Sequence, residues 1–237
     1  MKKDSTTMAV RLSMFKLVFA LMSLFSVSTH SSIATDKDAL QIYPPTCTRI
    51  ECPNFKTIHV GNGFEIRRYN SSVWITTSPI QDISLVQATR TGFLRLFDYI
   101  QGKNKYKQTI EMTGPVITEI LPSDGPFCES TFNVSFYVPK ENQADPPPAE
   151  GLQVQRWKPR YLAARQFSGF VEDSSVGKEA AALKSSLEGT VWGDAIQKNV
   201  GDGVYTVAQY NSPFEFENRV NEIWMMFHVE DLSFSAL

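Results

Sequence analysis

The chain has 237 residues, 42% of them hydrophobic, 12% aromatic and 20% charged, with a formal net charge of −2. That is the composition of a globular protein long enough to bury a core, which excludes collagen-like, low-complexity and wholly disordered chains. Near-neutral charge and a pI of about 6.0 argue against a nucleic-acid binder, and three cysteines exclude a dense disulfide scaffold and a four-thiolate zinc site.

The N-terminus departs from this average. Lys2, Lys3, Arg11 and Lys16 stand against the single acid Asp4, and the uncharged run Leu17–Val27 follows. A membrane-spanning helix needs about 18 or more apolar residues, so this run is too short to span. A basic segment, a short apolar core and small residues after it predict a secretory signal peptide. Ser32-Ile-Ala34 places cleavage after residue 34, with Ser26-Val-Ser28 as a second position. Losing residues 1–34, with four basic groups and one acid, would leave 203 residues of net charge −5. The expected location is the secretory pathway, extracellular or vacuolar, where disulfides and N-glycans form.

Residues 35–53 make an N-terminal segment ahead of the first patterned strands. Phe55–Val60 and Phe64–Tyr69 alternate apolar and polar residues around Gly61-Asn-Gly63, which predicts a hairpin. Val73–Thr77 is β-branched and aromatic and stays extended. Ser84-Leu-Val-Gln87 is a capping-box pattern, and Leu85, Ala88, Gly92, Phe93, Leu96 and Ile100 recur at helical spacing behind it. Strands follow at Val116–Ile120 and Thr131–Val138. Pro139–Ala149 has no periodicity and is a loop. A second helix capped by Ser175 carries Val176, Ala180, Leu183 and Leu187 on one stripe, before strands at Val204–Ala208 and Glu222–Phe227.

The two halves overlay at an offset of 88. Ile66–Trp74 falls on Val154–Leu162, Asn133–Tyr137 falls on Asn221–Met225, and a helix ending in glycine lies between each pair. One βαββ half would leave a sheet face and edges open, so one domain of two repeats is expected over about 54–230. The repeats are about 54–138 and 152–228, with a connector at 139–151.

Phe64-Glu-Ile-Arg-Arg-Tyr69, the helix Ala88–Gly102, Met112-Thr-Gly-Pro-Val116, Gly125–Ser130 and Arg219-Val-Asn-Glu-Ile-Trp224 occur together in the order found in the SOUL heme-binding proteins. The chain resembles that family over about residues 50–228. It departs in small ways: Gly114 stands where the family usually has alanine, and Val220 where it often has arginine. The resemblance implies an α+β fold, a distorted eight-stranded antiparallel barrel of two βαββ repeats with two helices outside. It also implies non-enzymatic binding of heme or a related tetrapyrrole in an apolar cleft between the first helix and a C-terminal loop.

Carried over by position, Arg90, Phe93 and Phe97 on the helix and Tyr210, Pro213 and Phe214 in the loop are the expected heme-binding residues. The spacing i, i+3, i+7 puts Arg90, Phe93 and Phe97 on one helix face. Two rings there could lie against a porphyrin while the guanidinium pairs with its propionates. The competing role is a Phe93 packed in the core with Leu96 and a merely solvated Arg90. After cleavage only His59 and His228 remain, neither on this face, so no strong axial ligand to iron is expected. His59 takes a structural or solvent role.

Cys47 and Cys52, just ahead of the first strand, read as a local disulfide pinning the N-terminal segment. The rival role is a Cys52-Pro53 thiolate on heme iron. Cys128 is left unpaired and buried beside a strand. Of two glycosylation sequons, Asn70-Ser-Ser72 lies at a break between strands and is the accessible one, whereas Asn133-Val-Ser135 is embedded in a strand.

No Gly-x-Ser-x-Gly, His-Glu-x-x-His or phosphate-cradling glycine loop occurs. Glu111, Glu119, Glu129 and Glu222 are acids in or near strands, with Glu222 beside Arg219 suited to a structural ion-pair network. The alternative function is a secreted module that binds another apolar small molecule or a protein partner.

Overall fold

The computed structural model describes residues 43–123, 129–199 and 203–228. The expected leader at 1–34, residues 35–42 and Cys128 lie outside the described residues.

Among the described residues ten strands and three α-helices follow one another: β1 (Phe55–Gly61), β2 (Phe64–Tyr69), β3 (Ser72–Thr77), β4 (Ile80–Asp82), α1 (Leu85–Ile100), β5 (Val116–Leu121) and β6 (Ser130–Tyr137) come first. Then come β7 (Leu152–Trp157), β8 (Arg160–Phe167), α2 (Asp173–Leu187), α3 (Val191–Asn199), β9 (Tyr205–Gln209) and β10 (Asn221–Phe227). The protein is α+β, with one antiparallel sheet in the order β1-β2-β8-β10-β9-β5-β6-β3-β7, while β4 pairs on the side with β6.

Where the resemblance implied eight strands and two helices, the described residues form ten and three: β1 is the first arm of the predicted hairpin, whereas β4 and α3 are additional. The sheet also ends in two edges, β1 and β7, that do not pair with each other. Exchanging β2 with β7, β3 with β8, β5 with β9 and β6 with β10 maps the remaining order onto itself. This is a symmetry of connectivity only. β1, β4 and α3 have no counterparts under it.

The period of two along each strand sorts side chains onto two faces. Ile66, Val73, Ile75, Val134, Phe136, Val207 and Ile223 form a core with Leu85, Ala88 and Leu96 of α1 and with Val176 and Leu183 of α2. Tyr69, Trp74, Trp157, Leu162, Tyr210 and Trp224 gather on the opposite face, where the sheet curls on itself. Burying each such leucine or isoleucine contributes about 1.5–3 kcal/mol.

Ser84 caps α1 as its sequence indicates, its hydroxyl accepting from Gln87 N at 3.1 Å. The reciprocal half of the box is taken elsewhere, since Ser84 N donates to Asp82 Oδ1 at 2.9 Å. The start of α2 differs from expectation. It begins at Asp173, ahead of Ser175, and Ser175 Oγ donates to the Glu172 carbonyl. The Asp173 carboxylate faces the neighbouring helix instead, accepting from Ser84 Oγ at 2.7 Å and Val86 N at 3.1 Å. An anion at a helix N-terminus is favourable there, so Asp173 ties α2 to α1. Thr190 starts α3, its hydroxyl accepting from Gly193 N at 3.1 Å.

α1 lies close on β6 because of Gly92. A Cβ at that position would stand 2.3 Å from Val134 Cγ2. Gly92→Ala is expected to lower stability by about 1–3 kcal/mol through overpacking. In urea denaturation, adding Val134→Ala should recover part of that loss. A Gly92→Ala chain as stable as the parent would contradict the close approach.

Candidate functional site

The curled face holds a buried ionic cluster rather than an opening. Arg67 on β2 donates to both Glu222 oxygens at 2.9 Å and to Glu65 at 2.8 Å. Glu222 on β10, with no exposed surface, also accepts from the Tyr210 hydroxyl at 2.9 Å and from Trp224 Nε1 at 2.7 Å. Strand β8 runs between β2 and β10 and presents the small Ala164 on this face, which leaves room for the guanidinium. Burial, the largest single influence, opposes the Arg67 charge, but the Glu222 carboxylate and the Tyr69 and Tyr210 hydroxyls together outweigh it and raise the pKa. Burial, with Glu222 adding to it, raises the Tyr210 hydroxyl well above its ordinary value. Glu222 is thus a structural acid, and its partner is Arg67. Arg219, its neighbour in sequence, donates instead to the carbonyls of Ser212 and Glu215.

On the other face, α1 presents more apolar surface than its packing uses. Leu85, Ala88, Gly92, Leu96, Tyr99 and Ile100 point inward. Beside them Val86, Arg90, Phe93, Leu94 and Phe97 recur at i, i+4, i+7, i+8 and i+11, one continuous outer stripe. Leu94 and Phe97 are 54% and 40% exposed. Phe93 divides its ring between two roles: it meets Phe136 edge-on at 5.4 Å and stacks with Phe97 at 5.8 Å with planes 15° apart. Arg90 is exposed and appears in no ion pair among the described residues. The sequence reading brought Arg90, Phe93 and Phe97 to one face but passed over Val86 and Leu94. Their spacing was the available signal, an apolar arc wider than one buried face needs.

The loop after β9 is hydrogen-bonded within itself and apolar outside. Glu215 accepts from Asn211 Nδ2 and Ser212 N, both at 3.1 Å, and Asn211 Oδ1 accepts from Val220 N at 2.7 Å. The Arg219 guanidinium braces two carbonyls and lies 4.4 Å over the Phe170 ring. Phe214 and Phe216 are 83% and 73% exposed, and Phe216 meets Phe170 at 6.1 Å. Phe170 leads directly to Asp173, which bonds the first turn of α1. The 168–173 segment therefore joins the loop to the N-terminal end of the helix stripe, a contribution the sequence reading missed.

The loop residues expected at the site separate into two groups. Pro213 and Phe214 are exposed. The Tyr210 side chain is 4% exposed and turned to the curled face, its hydroxyl on Glu222. It keeps the parity of Thr206 and Ala208, opposite to Val207 and hence opposite to α1.

Other candidate residues lie apart from the stripe. His59 is exposed on β1, its ring 6.0 Å from Phe64 and 6.2 Å from Trp192, and His228 is exposed after β10. Cys47 and Cys52 form a disulfide, which overturns the rival role of Cys52 as a thiolate ligand. Glu119 accepts from Asn133 Nδ2 at 3.0 Å, while Glu111 and Glu129 are exposed. Asn70 is exposed in the turn between β2 and β3, whereas Asn133 is half-buried on β6. Among the described residues no group of three His, Cys, Asp or Glu side chains is placed to hold a metal ion. None of their helices is long and apolar enough to cross a membrane.

A separate cavity of about 470 Å³ lies between α2, α3, β9 and β10, lined by Ala180, Leu187, Ile196, Tyr205 and Met225, with Lys184 among its polar residues. None of the expected site residues lines it.

Fold and pattern together define an α+β protein with its helices on one face of a curled antiparallel sheet. The chain belongs to the SOUL heme-binding protein family, whose model matches residues 50–226. It is 36% identical to human heme-binding protein 2 over 167 residues, 69% of this chain and 77% of that protein. Xenopus laevis heme-binding protein 1 is 28% identical over 168 residues, 70% of this chain and 84% of that one. The cryo-EM structure of an EcmrR–DNA complex matches with a TM-score of 0.52 at 8% identity, covering 96% of this chain and 74% of that one. That last likeness is one of fold alone.

Breaking the buried pair from one side should be costly. Arg67→Met is expected to destabilise by about 3–5 kcal/mol, because Glu222 is left charged and unpaired, and Arg67→Met/Glu222→Leu should recover much of that. Denaturation midpoints of the two variants check this. A double variant no more stable than the single would contradict it.

Proposed function

We propose that the protein binds heme or a related tetrapyrrole, without catalysing a reaction, between the outer stripe of α1 and the loop after β9. Membership of the family and the names of the relatives support the ligand class. The observation that carries the position is the combination on α1 of an exposed Arg90, without an ion pair among the described residues, with the stacked, partly exposed Phe93–Phe97 pair. The rings offer a planar apolar ligand a surface, and the guanidinium offers its carboxylates a charge-assisted partner. Pro213, Phe214 and Phe216 supply the opposing apolar surface, with Phe170 beside them. Tyr210 acts from behind, fixing the base of the loop through Glu222.

No histidine or free cysteine lies on the stripe among the described residues. Binding then rests on stacking and propionate pairing, and metal-free porphyrin should bind as well as hemin. The chain is read as entering the secretory pathway through its N-terminal leader, with Asn70 as the glycan-bearing position. The cavity beside α2 and α3 favours a second reading, in which a different apolar small molecule is held there.

Hemin and protoporphyrin titrations followed by absorbance test the proposal. Arg90→Ala and Phe97→Ala are each expected to weaken both ligands by about tenfold, the worth of one charge-assisted bond or one stacked ring. His59→Ala should leave both affinities unchanged. Loss of the hemin spectrum in His59→Ala would contradict binding without that ligand. Loss of affinity in Ile196→Trp with no effect at Arg90 or Phe97 would move the ligand to the cavity.

A further inference from the structure

The segment ahead of β1 is built into the molecule and reaches the loop after β9. Pro45–Thr48 makes one 3-10 turn, and the Cys47–Cys52 disulfide closes the chain around it with Cα atoms 5.5 Å apart. Both half-buried cysteines pack on the aromatic cluster of the curled face, and the Tyr43 ring lies 4.8 Å from Phe55. Glu51 secures the far end. Its backbone bridges to Thr113, its carbonyl accepts from Gly114 N at 2.9 Å, and its carboxylate accepts from Lys140 N at 3.2 Å. Gly114 leaves the space this needs, since a Cβ there would stand 3.2 Å from Ile50 Cδ1 and 3.5 Å from Cys52 Sγ.

Arg49 projects from inside this closed ring and donates to the Glu215 carboxylate. Arg49 holds that carboxyl below its ordinary range, with Asn211 and Ser212 also contributing. Glu215 is the residue on which the loop after β9 folds, through the same Asn211 and Ser212. An exposed ion pair is weak when both side chains must first be ordered. Fixing the backbone of Arg49 inside a six-residue disulfide ring removes part of that cost in advance.

We infer that the Cys47–Cys52 ring positions the ligand loop through Arg49 and Glu215, and that opening the disulfide weakens tetrapyrrole binding. The inference rests on the proposed role of that loop. Arg49 and Glu215 are positioning residues and need not touch the ligand. Opening requires a dithiol reductant: two electrons break the Sγ–Sγ bond, each sulfur takes up a proton, and the dithiol leaves as its own disulfide.

Two readouts on the whole protein test this, hydrogen exchange of the 211–219 amides and hemin affinity. They are compared for the oxidised protein, the dithiothreitol-reduced protein, Cys47→Ser/Cys52→Ser, Arg49→Ala and Arg49→Lys. Reduction, the double serine variant and Arg49→Ala should each speed loop exchange and weaken hemin by about threefold or more, while Arg49→Lys, which keeps the charge, stays near the parent. Exchange in α1 and β6 should not change, which separates loop release from general loss of stability. Unchanged loop exchange on reduction overturns the inference whether or not hemin binds. Faster loop exchange with equal hemin affinity overturns its link to binding. Faster loop exchange in a protein that binds hemin in neither form overturns the ligand proposal instead.

Discussion

A carboxylate with no exposed surface must have its charge and lone pairs met from within the protein, and Glu222 imposes that constraint here. Its two oxygens take both arms of Arg67, the Tyr210 hydroxyl and the Trp224 indole. These donors come from β2, from the end of β9 and from β10 itself. The pair therefore links β2 to β10 across an intervening β8 that presents Leu162 and Ala164 on this face. Exchange for apolar residues could leave stability intact. What the ionic pair adds is an arrangement of strands with few alternatives, because a register slip of one residue would bury both charges apart.

The filled curled face has a consequence for the opposite one. Trp74, Trp157, Trp224, Tyr69 and Tyr210 occupy the space inside the curl, so the surplus apolar surface lies outside, along α1 and the loop after β9. The two faces are nevertheless connected. Tyr210 bonds Glu222 inside and begins the loop whose Phe214 and Phe216 are exposed. The disulfide-closed turn packs on the curled face and reaches the same loop through Arg49. The loop is thus held from behind by the buried Tyr210 and from the side by the exposed Arg49, and under the proposed function such preorganisation would lower the cost of binding.

Local chemistry was legible in the sequence, and long-range chemistry was not. Ser84 announced the start of α1 because a cap acts within three residues. Ser175 failed as a cap because Asp173, two residues earlier, is held by the first turn of another helix. Glu222 read as an ion-pair residue, but its sequence neighbour Arg219 drew the attention while the partner, Arg67, lies 155 residues away. Tyr210 was expected at a heme site from its position in the family's C-terminal loop. Continuing the alternation of Thr206 and Ala208 by one more step would have turned it to the other face. The stripe of α1 was half visible: Arg90, Phe93 and Phe97 stood out, whereas Val86 and Leu94 looked like ordinary surface residues until the buried face was known.

Amide and indole chemical-shift mapping during titration with protoporphyrin tests the central claim most directly, because it reports every candidate location at once. The account predicts the largest shifts along Val86–Phe97 and in the loop from Asn211 to Phe216, with the indoles of Trp74 and Trp224 unmoved. Shifts centred on those indoles, or on Ile196 and Met225 beside the α2–α3 cavity, would contradict it.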